Sequence, residues 1–116
     1  MTRQIDGTIL TPQGWIDGRL TYDTRIAAVR GDPVPEPAPP YVLPGFVDLH
    51  VHGGGGADMM EGTEAIRTAA RLHARHGTTA FCPTSVTAPT GDLDAFLDAV
   101  RDVMEDPPED GARPLG

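Results

Sequence analysis

Two histidines separated by one residue, His50-Val-His52, close the run Phe46-Val-Asp-Leu-His-Val-His52. In an extended chain this run alternates, with Val47, Leu49 and Val51 on one face, expected to pack beneath helices, and Asp48, His50 and His52 on the other. Residues i and i+2 of a strand carry Cβ atoms about 6.5–7 Å apart, so two imidazoles can converge on one cation at about 2.0–2.1 Å. His50 and His52 are therefore a two-ligand clip for a divalent metal, with zinc first and iron, manganese or cobalt as alternatives. Asp48, one step lower on the same face, could accept a ring N–H and so set a ligand's tautomer. Four glycines, Gly53 to Gly56, permit positive φ and a sharp exit. The strand's carboxyl end then stays open, and parallel α/β folds build their sites at that end. The plainer reading, structural histidines on a polar face, accounts for neither the glycines nor the Leu43-Pro-Gly45 entry.

Other candidates have simpler roles. His73 and His76 share the spacing i, i+3 but suit the cationic end of a helix before Gly77. Thr84, Ser85 and Thr87 read as loop hydroxyls, Cys82 as a small strand residue, and Trp15 as core. Asp58 and Glu61 fit a capping box. His52-Gly-Gly-Gly-Gly also matches the oxyanion segment of lipase-like α/β-hydrolases. Their G-x-S-x-G elbow is missing here, since the one serine, Ser85, lacks flanking glycines.

The elements that must position the clip follow from pattern. Gly7-Thr-Ile-Leu, Gly14 to Leu20 and Arg25 to Arg30 are β-prone runs separated by turn signals, giving two or three antiparallel strands. Gly31 to Pro40 holds five prolines in its last eight positions and reads as a stiff extended connector. Beyond it come a strand at 46–52, a helix at about 63–76, a strand at 78–83 and a helix at 92–104. The last helix carries Leu93, Phe96, Leu97, Val100 and Met104 at helical spacing. Strand and helix in alternation mean a parallel sheet, hence an α/β fold. One β/α unit of about 31 residues, repeated eight times, gives roughly the 250 residues of a (β/α)8 barrel. Two units cannot close a barrel, so the chain is expected to be an incomplete fragment, with residues 1–42 one part and 43–116 the other.

The composition excludes some functions. The 116 residues include nine arginines, no lysine and 17 acidic side chains, a formal charge of −8. Arginines scattered singly on an acidic chain form no basic stripe, which argues against a nucleic-acid partner. No run approaches the roughly 20 apolar residues of a membrane span, and the N-terminus lacks a signal-peptide core, so a cytoplasmic protein without a membrane partner is expected. One cysteine forms no internal disulfide.

Leu43-Pro-Gly-Phe-Val-Asp-Leu-His-Val-His52 resembles the opening strand of the metal-dependent amidohydrolase superfamily. Gly77-Thr-Thr-Ala-Phe-Cys-Pro-Thr-Ser-Val-Thr-Ala-Pro89 is similar, more specifically, to the branch that deacetylates N-acetylglucosamine 6-phosphate. The resemblance implies a small β-sandwich to which the first ~40 residues contribute, followed by a TIM-like barrel. It implies metal at His50 and His52, a small-molecule amino-sugar phosphate as substrate, hydrolysis to glucosamine 6-phosphate and acetate, and a homodimer. It also implies that a metal-binding glutamate, later histidines and the catalytic aspartate fall after Gly116, so that no catalytic residue lies within 1–116 and the segment alone is inactive. Another amidohydrolase acting on a cyclic amide or deaminating a base, an esterase, and a non-catalytic scaffold are the alternatives.

Overall fold

A computed structural model describes all residues from Met1 to Gly116, as two compact units, Met1–Pro44 and Gly45–Gly116. The first unit is one sheet. Strands β1 (Arg3–Thr11) and β2 (Gly14–Tyr22) pair antiparallel across the turn at Pro12 and Gln13, and β3 (Ile26–Pro33) pairs antiparallel with β2. A short β4 (Tyr41–Val42) lies parallel to β1, giving the order β3-β2-β1-β4.

The connector expected from Gly31 begins later, because Gly31, Asp32 and Pro33 belong to β3. An edge strand tolerates a proline, whose missing N–H need not face a partner. The remaining proline segment is tied to the sheet at both ends, by Val34 N–H to the Trp15 carbonyl (3.0 Å) and by Thr8 N–H to the Pro40 carbonyl (2.9 Å). Gly7, Gly18 and Gly31 stand side by side across three strands. A Cβ on Gly18 would strike the Arg30 carbonyl, so the strands approach there as only glycine permits. Thr8 and Ile9 are the buried residues of this unit. Trp15, expected in the core, is half-buried against Tyr41, because a single sheet has no second layer to enclose it.

The second unit is mixed α/β. Strands β5 (Phe46–Val51), β8 (Thr78–Pro83) and β9 (Arg113–Pro114) form a parallel sheet in the order β5-β8-β9. Helix α1 (Thr63–Arg75) joins β5 to β8, and α2 (Thr90–Glu105) joins β8 to β9. The expected strand-helix-strand-helix order with adjacent parallel strands is present, and β9 adds a third strand. Between β5 and α1 lie a hairpin, β6 (Gly53–Gly54) and β7 (Ala57–Asp58), and a 3₁₀ turn, Met59–Glu61. Gly77, with φ +93°, ends the first helical segment as expected.

The core unites Ile66, Ala69 and Ala70 of α1 with Phe81 of β8, Met59, and Phe96, Ala99, Val100 and Val103 of α2. Two expectations about faces fail. Leu97 and Met104 lie outside the buried stripe of α2, 59% and 38% exposed, because docking selects a stripe rotated from the one the hydrophobic spacing suggests. Val51 is buried, but Val47 and Leu49 are 55% and 72% exposed. β5 is an edge strand, and the core reaches it only at its carboxyl end.

Two ion pairs tie α1 to the segment after α2, Arg67 with Asp106 (3.0 Å) and Arg71 with Asp110 (2.9 Å). The hydrogen bond from Arg71 holds the Asp110 carboxyl below its ordinary range. That contribution is present above the unfolded carboxyl pKa of about 3.9 and is lost as pH falls through the folded value, so Asp110→Asn should flatten part of the acid limb of a stability–pH curve. In urea denaturation, Phe81→Ala should cost about 3–5 kcal/mol, whereas Leu49→Ala should stay within about 0.5 kcal/mol.

Candidate metal centre

The clip sits where β5 runs out. His50 lies on the strand and His52 one residue past its end, both exposed. Their Nε2 atoms are 2.9 Å apart, and the rings meet nearly edge to face, with centroids 4.8 Å apart at 73°. Two nitrogens bound to one cation at about 2.0–2.1 Å stand about 2.9 Å apart at a right angle and about 3.3 Å apart at the tetrahedral angle. The donor atoms therefore fit a shared divalent cation without moving far.

A backbone group sets the chemistry of the pair. His52 Nδ1 lies 3.0 Å from the Thr84 carbonyl oxygen, which can only accept, so Nδ1 carries the proton and Nε2 presents its lone pair. His50 Nε2–H then donates to His52 Nε2 in the metal-free pair. For both Nε2 atoms to hold one cation, the His50 proton would have to move to its Nδ1, a change of tautomer with no net release of a proton. Asp48 does not take the expected role toward a ring. Its Oδ1 accepts the backbone N–H of His50 (3.1 Å), a short local bond open to an aspartate two residues back.

Thr84 is the residue that sequence reasoning undervalued. Its N–H donates to the Val51 carbonyl (2.8 Å), its hydroxyl accepts from Val51 N–H (3.2 Å) and donates to the Cys82 carbonyl (3.1 Å), and its own carbonyl holds His52. A position just after a strand facing the clip was the only signal available. Ser85 and Thr87 bring no comparable contact to the pair.

The glycine exit is a hairpin rather than an open loop. Gly53 pairs with Asp58 and Gly54 with Ala57, around a turn with Gly55 and Gly56 at φ +66° and +80°. Positive φ at both turn residues is the type I′ geometry of two-residue hairpins, and it explains glycine at both. The capping box forms as expected but on the 3₁₀ turn: Met60 N–H donates to Asp58 Oδ1 (2.8 Å) and Asp58 N–H to Glu61 Oε2 (2.9 Å). His73 turns inward, its Nε2–H donating to the Gly53 carbonyl (2.9 Å), while His76 caps the helix end through its N–H on the His73 carbonyl (3.0 Å). No group of three or more His, Cys, Asp or Glu side chains gathers to hold a metal, so the clip supplies two donors of the three or four a site requires.

The two histidines thus stand together at the carboxyl edge of a parallel sheet, within a mixed α/β unit. Residues 41–107 match the pattern of the Amidohydrolase family, more than half of the chain, and the protein belongs to that family. Over 94 residues it is 36% identical to N-acetylgalactosamine-6-phosphate deacetylase of Escherichia coli O157:H7, covering 77% of this chain and 25% of the relative. N-acetylglucosamine-6-phosphate deacetylase of Vibrio furnissii is 42% identical over 76 residues, covering 65% of this chain and 19% of the relative. The crystal structure of N-acetyl-D-glucosamine-6-phosphate deacetylase from Mycobacterium smegmatis superposes with a TM-score of 0.72 at 30% identity, over all of this chain and 35% of that one. The chain thus spans a quarter or less of the length of these two sequence relatives.

Thr84→Val should lower stability by about 1 kcal/mol through loss of the hydroxyl's bonds to Val51 and Cys82, and Thr84→Ser should restore it, as read by urea denaturation.

Proposed function

We propose that these residues are the metal-binding opening of an enzyme that removes the acetyl group from N-acetylglucosamine 6-phosphate, giving glucosamine 6-phosphate and acetate. The observation that carries the reading is the His50–His52 pair, with lone-pair and proton positions set by Thr84, in a chain similar to deacetylases of this class. His50 and His52 would hold a divalent cation, zinc first, through their Nε2 atoms. Bound there, such a cation polarises an amide carbonyl and lowers the pKa of an attacking water towards 7. His52 keeps its lone pair directed at the cation through Thr84, and Asp48 fixes the backbone of His50. The remaining metal ligands and the carboxylate that moves the proton are assigned outside residues 1–116.

In the same proposal, Gly45–Gly116 supplies the first β/α units of a (β/α)8 barrel and Met1–Pro44 supplies strands of a small β-sandwich. The parallel order β5-β8-β9 and the superposition on the Mycobacterium smegmatis enzyme support this. A cytoplasmic homodimer completes the proposal. The Escherichia coli relative acts on the galacto epimer, and so supports a second reading in which the substrate is N-acetylgalactosamine 6-phosphate.

Acetate release from the two epimeric sugar phosphates by the full-length protein is the deciding measurement. The gluco epimer should be preferred. His50→Ala with His52→Ala should lower metal content and turnover by more than the roughly 10–100-fold typical of losing an outer-shell partner. Unchanged metal and unchanged turnover in that double variant would overturn the role of the pair. Turnover of a cyclic amide with no acetate released from either sugar would move the protein to another branch of the family.

A further inference from the structure

We propose that His73 is a positioning residue, one that anchors the glycine segment leaving β5 and thereby fixes the angle at which His52 presents its ring. The proposal rests on the reading of His50 and His52 as metal ligands and extends it outward by one layer.

Four consecutive glycines follow His52, and glycine backbone is the most costly to order on folding. Gly53 to Gly56 have no side chains that could pack and hold them, so their orientation depends on bonds from elsewhere. Two such bonds meet the carbonyls beside the ligand. Met59 N–H donates to the His52 carbonyl (2.8 Å), from a residue whose side chain is fully buried, and His73 Nε2–H donates to the Gly53 carbonyl (2.9 Å).

The fit around His73 is close. A Cβ on Gly54 would stand 2.9 Å from His73 Nε2 and 2.9 Å from Leu72 Cδ2, nearer than real Cβ contacts come. Glycine at 54 is what lets the ring pass over the hairpin. A histidine serving only as a cation at the end of α1 would keep its ring in water. This one is partly buried and directed at a carbonyl.

The test follows the ring nitrogens of His52 by NMR in the metal-free, 15N-labelled protein. Wild type should show a single His52 form protonated at Nδ1. His73→Phe should convert it to a mixture of tautomers, and His73→Gln, which retains an N–H donor, should restore the wild-type pattern. Gly54→Ala presses on the same ring and should mimic His73→Phe, and the double variant should be no worse than His73→Phe alone, because both break one tether.

Zinc titration is the second arm. His73→Phe should weaken zinc binding about 10-fold, the lower end for an outer-shell partner, with His73→Gln close to wild type. Wild-type His52 signals in His73→Phe would overturn the proposal. If that variant does not fold, unchanged signals in Gly54→Ala would overturn it instead. Zinc binding that is indifferent to His50→Ala with His52→Ala would sink the metal reading, while the ring signals would still decide the role of His73.

Discussion

The hydrogen bonds between Val51 and Thr84 are the constraint on which the rest of the site depends. At this point β5 faces Pro83, which has no N–H to give to the ladder. The β5–β8 register shifts between Asp48 and Val51, and Thr84 holds the strands together beyond that irregularity with its own N–H and its hydroxyl. The Thr84 carbonyl is thereby left pointing at His52. A bare H-x-H strand would carry two rings of undetermined tautomer. Held this way, the His52 ring presents its Nε2 lone pair toward His50, which would remove part of the ordering that binding a cation there requires.

The glycine hairpin is the complement of that rigidity. It reverses the chain within a few residues of the strand that bears His50. Its lack of side chains also deprives it of any means of holding itself. The structure supplies the restraint from outside, through Met59, the Asp58–Glu61 capping box and His73. Each is fixed in turn: Met59 lies in the core, and His73 is borne on the helix that contributes Ile66, Ala69 and Ala70 to it. The core beneath α1 and α2 thus acts on the clip through a few named backbone contacts.

The first unit shows what a sheet does without a covering layer. Its strands are fully laddered, and the row Gly7, Gly18 and Gly31 lets three of them approach closely, yet only Thr8 and Ile9 are buried. Backbone pairing alone determines its order, with apolar side chains such as Ile26 left exposed. The second unit has helices over one face and a contiguous core, so its side chains as well as its backbone are specified.

The amino-acid sequence by itself determined the features governed by neighbours a few residues apart. Alternation in Phe46 to His52 placed both imidazoles on one side, Gly77 ended α1, and Asp58 with Glu61 made a capping box, because i+2, i+3 and i+4 geometry is local. The parallel pairing of β5 with β8 was legible too, since strand and helix alternate, whereas β9 was not. Only the tertiary structure decided that Thr84 rather than Asp48 meets a His52 ring nitrogen, that His73 turns onto Gly53, and that α2 buries Val103 instead of Leu97 and Met104. Those outcomes depend on where a carbonyl points and how a helix is rotated after it docks. Both are set by residues twenty or more positions away in sequence, a distance over which the pattern of side chains carries no orientational information.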